Sequence, residues 1–152
     1  MLTHLEQTIR DYLPHIIHMS LATSHDDRPW ICEVHFVYDT DLNLYFRSKP
    51  SRRHSHEINQ NPLVSGSIVT QHTADEKPRW IYFEWKAELI VINQDDPIYT
   101  MFCERVWCDA SIITDQEKED GHKFYKISVS DYYIFDKKES NPSTKYHLSW
   151  WK

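Results

Sequence analysis

Alternation of apolar and polar side chains dominates this sequence. Trp30, Cys32, Val34, Phe36 and Tyr38 share one parity, and Glu33 and His35 fall on the other. Successive strand side chains point to opposite faces, so this stretch predicts a strand buried on one side. Asp39-Thr40-Asp41 supplies turn chemistry, after which Leu42, Leu44 and Phe46 oppose Asn43, Tyr45 and Arg47. Together the two stretches predict a hairpin. The longest alternation covers residues 80–92: Ile81, Phe83, Trp85, Ala87, Leu89 and Val91 are apolar, and Glu84, Lys86 and Glu88 are not. A strand of that length must curl inside a compact sheet. Further strands are expected over residues 15–24, with Ile17, Met19 and Leu21 on one face, and over 63–70. Another is expected over 122–135, with Tyr125, Ile127, Val129, Tyr133 and Phe135 on one face, and a short closing strand over 146–151.

Helical spacing is rarer. Thr3 and Glu6 form a capping box ahead of Leu5, Ile9, Tyr12 and Leu13, which predicts a helix over 3–13 stopped by Pro14. Asp95-Asp96-Pro97 starts a second helix that buries Ile98, Met101 and Phe102. A third, over 51–60, has little apolar surface beyond Ile58, so packing alone does not explain it. The acidic loop 115–120 reads as solvated. Six or more strands with two or three short helices predict a mainly β fold, a six-stranded antiparallel barrel with peripheral helices. Such a barrel leaves no open edge. One domain over 1–152 is expected, because no repeat, linker or low-complexity tract interrupts the chain.

Composition narrows the chemistry. Only two glycines occur, Gly66 and Gly121, which excludes the glycine-rich dinucleotide and P-loop motifs. The net charge of −6 argues against nucleic acid or an anionic membrane as partner. No apolar run approaches the roughly 20 residues of a membrane helix. The N-terminus lacks a signal peptide's layout, so a cytoplasmic location is expected. Cys32, Cys103 and Cys108 form no Cys-x-x-Cys and are odd in number, and they read as reduced thiols. No metal centre is expected from His54 and His56, which diverge on a helix and read as exposed. His18 and His35 lie on different strands and can face one another, either as a site or, as is more usual, as an ordinary pair on the outer barrel face.

The chemistry concentrates between Phe46 and Ile58. Lys49, Arg52 and Arg53 crowd the start of the short helix, where the macrodipole is already positive. Cations there repel the dipole unless an anion sits between them. Free backbone N–H groups and the hydroxyls of Ser48 and Ser51 complete a phosphate cradle.

Taken in order, these segments resemble the pyridoxamine 5'-phosphate oxidase-related family of FMN-binding split barrels, in a short, general-stress-protein-like form. The matching residues are Met19-Ser20-Leu21-Ala22-Thr23, Phe36-Val37-Tyr38-Asp39, Leu44-Tyr45-Phe46-Arg47-Ser48, Ser51-Arg52-Arg53, Asn61-Pro62-Leu63-Val64 and Lys86-Ala87-Glu88-Leu89. The likeness is thinner after about residue 90. It implies a split barrel that forms a homodimer with FMN at the interface and acts as a small flavin-dependent oxidoreductase. Arg52 and Arg53 would hold the flavin phosphate, assisted by Ser48, Lys49 and Ser51. Phe46 and Arg47 would lie near the flavin, residues 31–36 would line its ring, and Trp80 would wall the pocket. A flavin-storing or sensing module without turnover, or a deazaflavin or haem binder, is the alternative. The chain departs from the family in three ways. No arginine follows Arg105, so the substrate-holding C-terminal Arg of the vitamin B6 oxidase has no counterpart. The family's second-strand phosphate arginine falls near Ile31, and its long-strand glycine falls at Trp85.

Overall fold

Thr3 opens the first helix by accepting a hydrogen bond from the Glu6 backbone N–H at 3.1 Å. That bond satisfies a first-turn donor with no partner inside the helix. Helix α1 (His4–Tyr12) buries Ile9 and Tyr12, and a 3-10 turn, Leu13–His15, follows at Pro14. This computed structural model describes residues 3–76, 78–109, 111–136 and 145–149. Beyond α1 they form strands β1 (His18–His25), β2 (Arg28–Tyr38), β3 (Leu44–Ser48), β4 (Leu63–Val69), β5 (Arg79–Ile90), β6 (Lys123–Asp136) and β7 (Lys145–Ser149). The remaining helices are α2 (Arg53–Gln60), α3 (Pro97–Arg105) and α4 (Ser111–Asp115). Among the described residues, none of these helices is long and apolar enough to cross a membrane.

The strands pair antiparallel in the order β3-β2-β1-β4-β5-β6-β7, and an added β3–β6 pairing closes six of them into a barrel. The tail is therefore not the closing strand. Strand β6 has 14 residues, enough to serve two partners in turn: residues 123–127 pair with β3 and residues 131–135 with β7. Trp150 and Trp151 lie outside the described residues.

The barrel interior is filled by the predicted apolar parity: Met19 and Leu21, Val34 and Phe36, Leu44 and Phe46, Ile81 and Phe83 are all buried. Gly66 sits against this core with no room for a side chain. A Cβ there would meet the Ser20 carbonyl oxygen and the Phe83 ring.

Parity fails on β6. Glu84 pairs with Asp131 but Trp85 pairs with Val129, which leaves Ser130 as an extra residue. Such a bulge reverses every side chain beyond it. Tyr132 and Ile134 therefore enter the core, and Tyr133 and Phe135 turn outward, against expectation. Trp85, at this bulge, has φ 153°, a conformation that L side chains rarely adopt and that glycine takes freely.

A second cluster lies outside the barrel. Val37, Tyr45 and Phe124 project outward from β2, β3 and β6, and Ile98, Phe102 and Ile112 of α3 and α4 cover them. Asp96 caps α3 by accepting from the Ile98 N–H at 2.9 Å, as the Asp-Pro start predicts. Leu89 and Val91 are exposed, whereas Ile90 and Ile92 pack into this cluster. Cys103 and Cys108 are joined as a disulfide, so the reading as free thiols holds for Cys32 alone among the three. The chain turns back after α3 and brings their Cα atoms to 3.9 Å.

Candidate functional site

Strand β3 ends at Ser48, and four residues later α2 begins with Arg52 at its N-cap (φ −74°, ψ 145°) and no side chain capping the first turn. Ser, Thr, Asp or Asn is the usual choice at that position, and a cation there opposes the helix dipole. Arg52 is exposed, and its guanidinium makes no ion pair or hydrogen bond among the described residues.

The other cations of the corner are compensated by the chain itself. Arg47 lies 3.5 Å from Asp115, and Lys49 lies 3.9 Å from Asp120. Asp120 also accepts from the Ser51 backbone N–H at 3.3 Å. Arg53 donates to Glu57 at 2.7 Å and rests 4.3 Å above the Trp30 ring. The acidic loop 115–120 is thus part of the corner, not a free solvated stretch. Asp115 accepts from the His122 backbone N–H at 3.0 Å and pairs with the His122 ring and Lys118. The His122 backbone bond holds its carboxyl well below the ordinary range, against an opposing push from burial.

Two of the expected ligand residues are interior. Phe46 is fully buried and stacks on Tyr125 with ring centroids 5.0 Å apart. Ser48 is buried, and its hydroxyl meets His54 Nε2 at 2.6 Å. His54 Nδ1 lies 3.3 Å from Cys32 Sγ. A neutral imidazole has one donor and one acceptor, which matches one contact on each side. Burial, then the Arg52 charge, lowers the His54 pKa. His54 is therefore not the exposed helix residue its polarity predicts. It packs α2 onto β2 and β3. Burial first, then Glu33 and Glu57, raises the Cys32 thiol to about 11, so it stays protonated and is a poor nucleophile at neutral pH.

Glu57 is the second buried polar residue that sequence reasoning missed. It accepts from Thr23 at 2.5 Å as well as from Arg53. Burial pushes its carboxyl up, but these two bonds and the charges of Arg53 and His25 bring it below the ordinary value. Glu57 four residues after Arg53 was the available signal.

From this corner a trough runs across the outer face of the sheet. Its first part, about 410 Å³, is lined by His25, Asp26, Arg28, Arg53 and Glu57. The next, about 280 Å³, runs past Thr23, Ser24, Pro29 and Leu63. Ala22 and Ser65 also line a third part of about 450 Å³, which continues to Ile31, Ser67, Tyr82, Glu84 and Tyr133. The floor carries small side chains because β1 and β4 present Ser20, Ala22, Ser65 and Ser67 in register. Its far wall is polar and ordered. Tyr133 donates to Glu84 at 2.9 Å, its ring stacks on His147 at 4.7 Å, and His147 Nε2 meets Asp131 at 2.5 Å. Nothing local in the sequence marks this wall, since β7 brings His147 to it. The arrangement suits a flat ligand with an anionic end.

Trp80 is elsewhere. It pairs with Val69 at one end of the β4–β5 ladder, and Leu63, next to α2, pairs with Lys86 at the other. Six residue steps put about 20 Å between those ends. Trp80 stacks on Phe135 at 4.8 Å. The structure thus brings Arg47, Ser48, Lys49, Ser51, Arg52 and Arg53 into one corner, with Phe46 beneath it and Trp80 distant.

No protein-family model matches the sequence, and no curated protein sequence matches it. Solved structures do resemble it. A heme binding protein from Mycobacterium smegmatis superposes with a TM-score of 0.74 at 12% identity, over 98% of this chain and 59% of that one. A FAD-binding protein from Mesorhizobium loti gives 0.60 at 19% identity, over 88% and 92%. General stress protein 26 from Bacillus anthracis gives 0.62 at 20% identity, over 87% and 94%. The chain spans about three fifths of the heme binding protein's length. These likenesses show a shared fold, the split barrel that the sequence resemblance implies.

Proposed function

We propose, on the premise of that split barrel, that the chain is an FMN-binding flavoprotein and a small flavin-dependent oxidoreductase. It works as a homodimer with the flavin at the interface. One observation carries the reading: Arg52, exposed and without a hydrogen bond or ion pair among the described residues, stands at a helix start that no side chain caps, beside Arg53, which lines an open cavity. Arg52, the first-turn N–H groups of α2 and Arg53 hold the phosphate. Lys49, Arg47 and the Ser51 N–H, already paired with Asp120 and Asp115, fix the corner's shape around it. Ser48 and Phe46 act from beneath, through His54. The small floor of Ser20, Ala22, Ser65 and Ser67 takes the ring, beside Ile31.

In this reading the flavin of one protomer meets Trp80 of the other, because within a protomer Trp80 stands about 20 Å along the ladder from the corner. Ile31, Leu63 and Trp30, exposed by 62%, 50% and 39%, border the trough and supply apolar surface for that contact. Bound flavin supplies hydride acceptance and donation. The chain binds and orients it, and the Tyr133–Glu84 and His147–Asp131 pairs hold protons at the rim. The FAD-binding and general stress proteins that share the fold support this reading.

A haem or deazaflavin ligand, or flavin storage without turnover, is the second reading, and the heme binding protein of the same fold favours haem. A cytoplasmic location belongs to the proposal. The Cys103–Cys108 disulfide weighs against it, since cytosolic thiols are usually kept reduced. Titration with FMN, haem and reduced deazaflavin, read by absorbance and melting temperature, separates the ligands. FMN should bind saturably and raise the melting temperature. A colourless protein indifferent to FMN contradicts the reading. Binding without oxidation of a reduced nicotinamide leaves only the storage form.

A further inference from the structure

Strand pairing sets His18 directly against His35. The Phe36 N–H bonds the Ile17 carbonyl at 3.0 Å, so Ile17 and Phe36 are a hydrogen-bonded pair. His18 and His35, one step along, are then a non-hydrogen-bonded pair. In that register the Cα atoms are about 4.5 Å apart and both side chains stand on the same face. Exposed imidazoles at such positions can turn toward one ion, each at about 2.0–2.1 Å, by side-chain rotation.

Both residues are exposed, and neither has a hydrogen-bond or ionic partner among the described residues. The contrast with other histidines is informative. His25 pairs with Asp26, His54 with Ser48, His122 with Asp115 and His147 with Asp131. Glu33 shares the outer face two residues from His35, where it accepts from Ser20 at 2.5 Å and adds a neighbouring negative charge. Among the described residues no group of three or more His, Cys, Asp or Glu side chains is placed to hold a metal ion, so the pair would act with water alone.

We propose that His18 and His35 form a two-imidazole surface chelate for a borderline transition-metal cation, with water completing the coordination. The divalent order should place copper above nickel and zinc. This site stands apart from the flavin reading and survives its failure.

The test is calorimetric titration of the full chain, free of chelators, with Cu(II), Ni(II) and Zn(II) salts. One equivalent per chain should bind, and copper should give an electron paramagnetic resonance spectrum split by two nitrogens. His18→Ala and His35→Ala should each weaken binding by about tenfold or more. His15→Ala, which removes another exposed imidazole nearby, should leave it unchanged. His18→Gln and His35→Gln repeat the test with closer shape, and the melting temperature of each free variant reports its folding. Binding by either single alanine variant at the strength of the unaltered chain overturns the proposal, as does an equal loss in His15→Ala.

Discussion

The outward sides of the barrel are covered in one region and bare in another. Over β2, β3 and β6 the outward residues Val37, Tyr45 and Phe124 are large, and α3 and α4 bury them. Over β1 and β4 they are Ser20, Ala22, Ser65 and Ser67, and beside them Ile31 on β2 is 62% exposed. Strand positions ordinarily favour β-branched and aromatic residues. Small side chains on central strands give up that preference and keep the surface low. The covered face holds the fold, and the bare face leaves a depression that ends at the basic corner.

The largest effect should come from the covered face. Phe124 is fully buried and meets Phe102 edge-on at 5.7 Å. Phe124→Ala should lower unfolding stability in urea by about 3–5 kcal/mol. A loss no larger than that of a surface change would break the contrast between the faces.

Gly66 tests the layer beneath the trough. In Gly66→Ala the new Cβ would run into the Ser20 carbonyl oxygen and the Phe83 ring, and overpacking of this kind costs about 1–3 kcal/mol. The same urea titration measures it.

Acid should act through the corner, where the titrating groups His54, Glu57 and Asp115 lie. His54 is held below its ordinary pKa by burial and then by Arg52, so below about 6.5 the unfolded chain takes a proton that the folded chain resists. Stability therefore falls as pH drops through that value. Glu57 and Asp115, also held below the ordinary range, contribute above about 4 and lose their contribution as pH falls further. Urea midpoints should thus be flat between about pH 7 and 8, fall in two stages below that range, and fall again above about pH 9, where the unfolded chain ionises the Cys32 thiol that burial keeps protonated in the fold. His54→Gln should remove the upper stage.

The smallest effect belongs to the bare face. Ile31→Ser should change monomer stability by no more than about 0.5 kcal/mol. It should weaken self-association measured by sedimentation. Unchanged association would mean that the trough is not the dimer seam.

What could be read from the chain was what neighbours in sequence decide. The β2–β3 hairpin, the Thr3 cap and the Asp96-Pro97 start are each set within a few residues, and each forms as expected. The barrel was legible from alternation until Ser130, where one unpaired residue reversed the faces of β6. A bulge leaves no mark on composition, so Tyr133 and Phe135 were assigned to the wrong side. The basic corner was legible as a cluster of cations, but its balance was not. Asp115 and Asp120 arrive from more than 60 residues away and neutralise Arg47 and Lys49. Arg52 is left without a direct ion pair among the described residues, although the Asp120 carboxylate also feels its charge. His54 looked exposed because its partners, Cys32 and Ser48, come from two other strands.

Arg52 gives the most direct test, because its guanidinium makes no hydrogen bond or ion pair among the described residues. FMN and riboflavin differ only in the phosphate, so both should be titrated into Arg52→Ala and into the unaltered protein. A charge-assisted contact of about 1.5–3 kcal/mol predicts FMN weakened about 10- to 150-fold and riboflavin unchanged. Equal losses for the two ligands, or none for either, would contradict a phosphate held at the head of the trough.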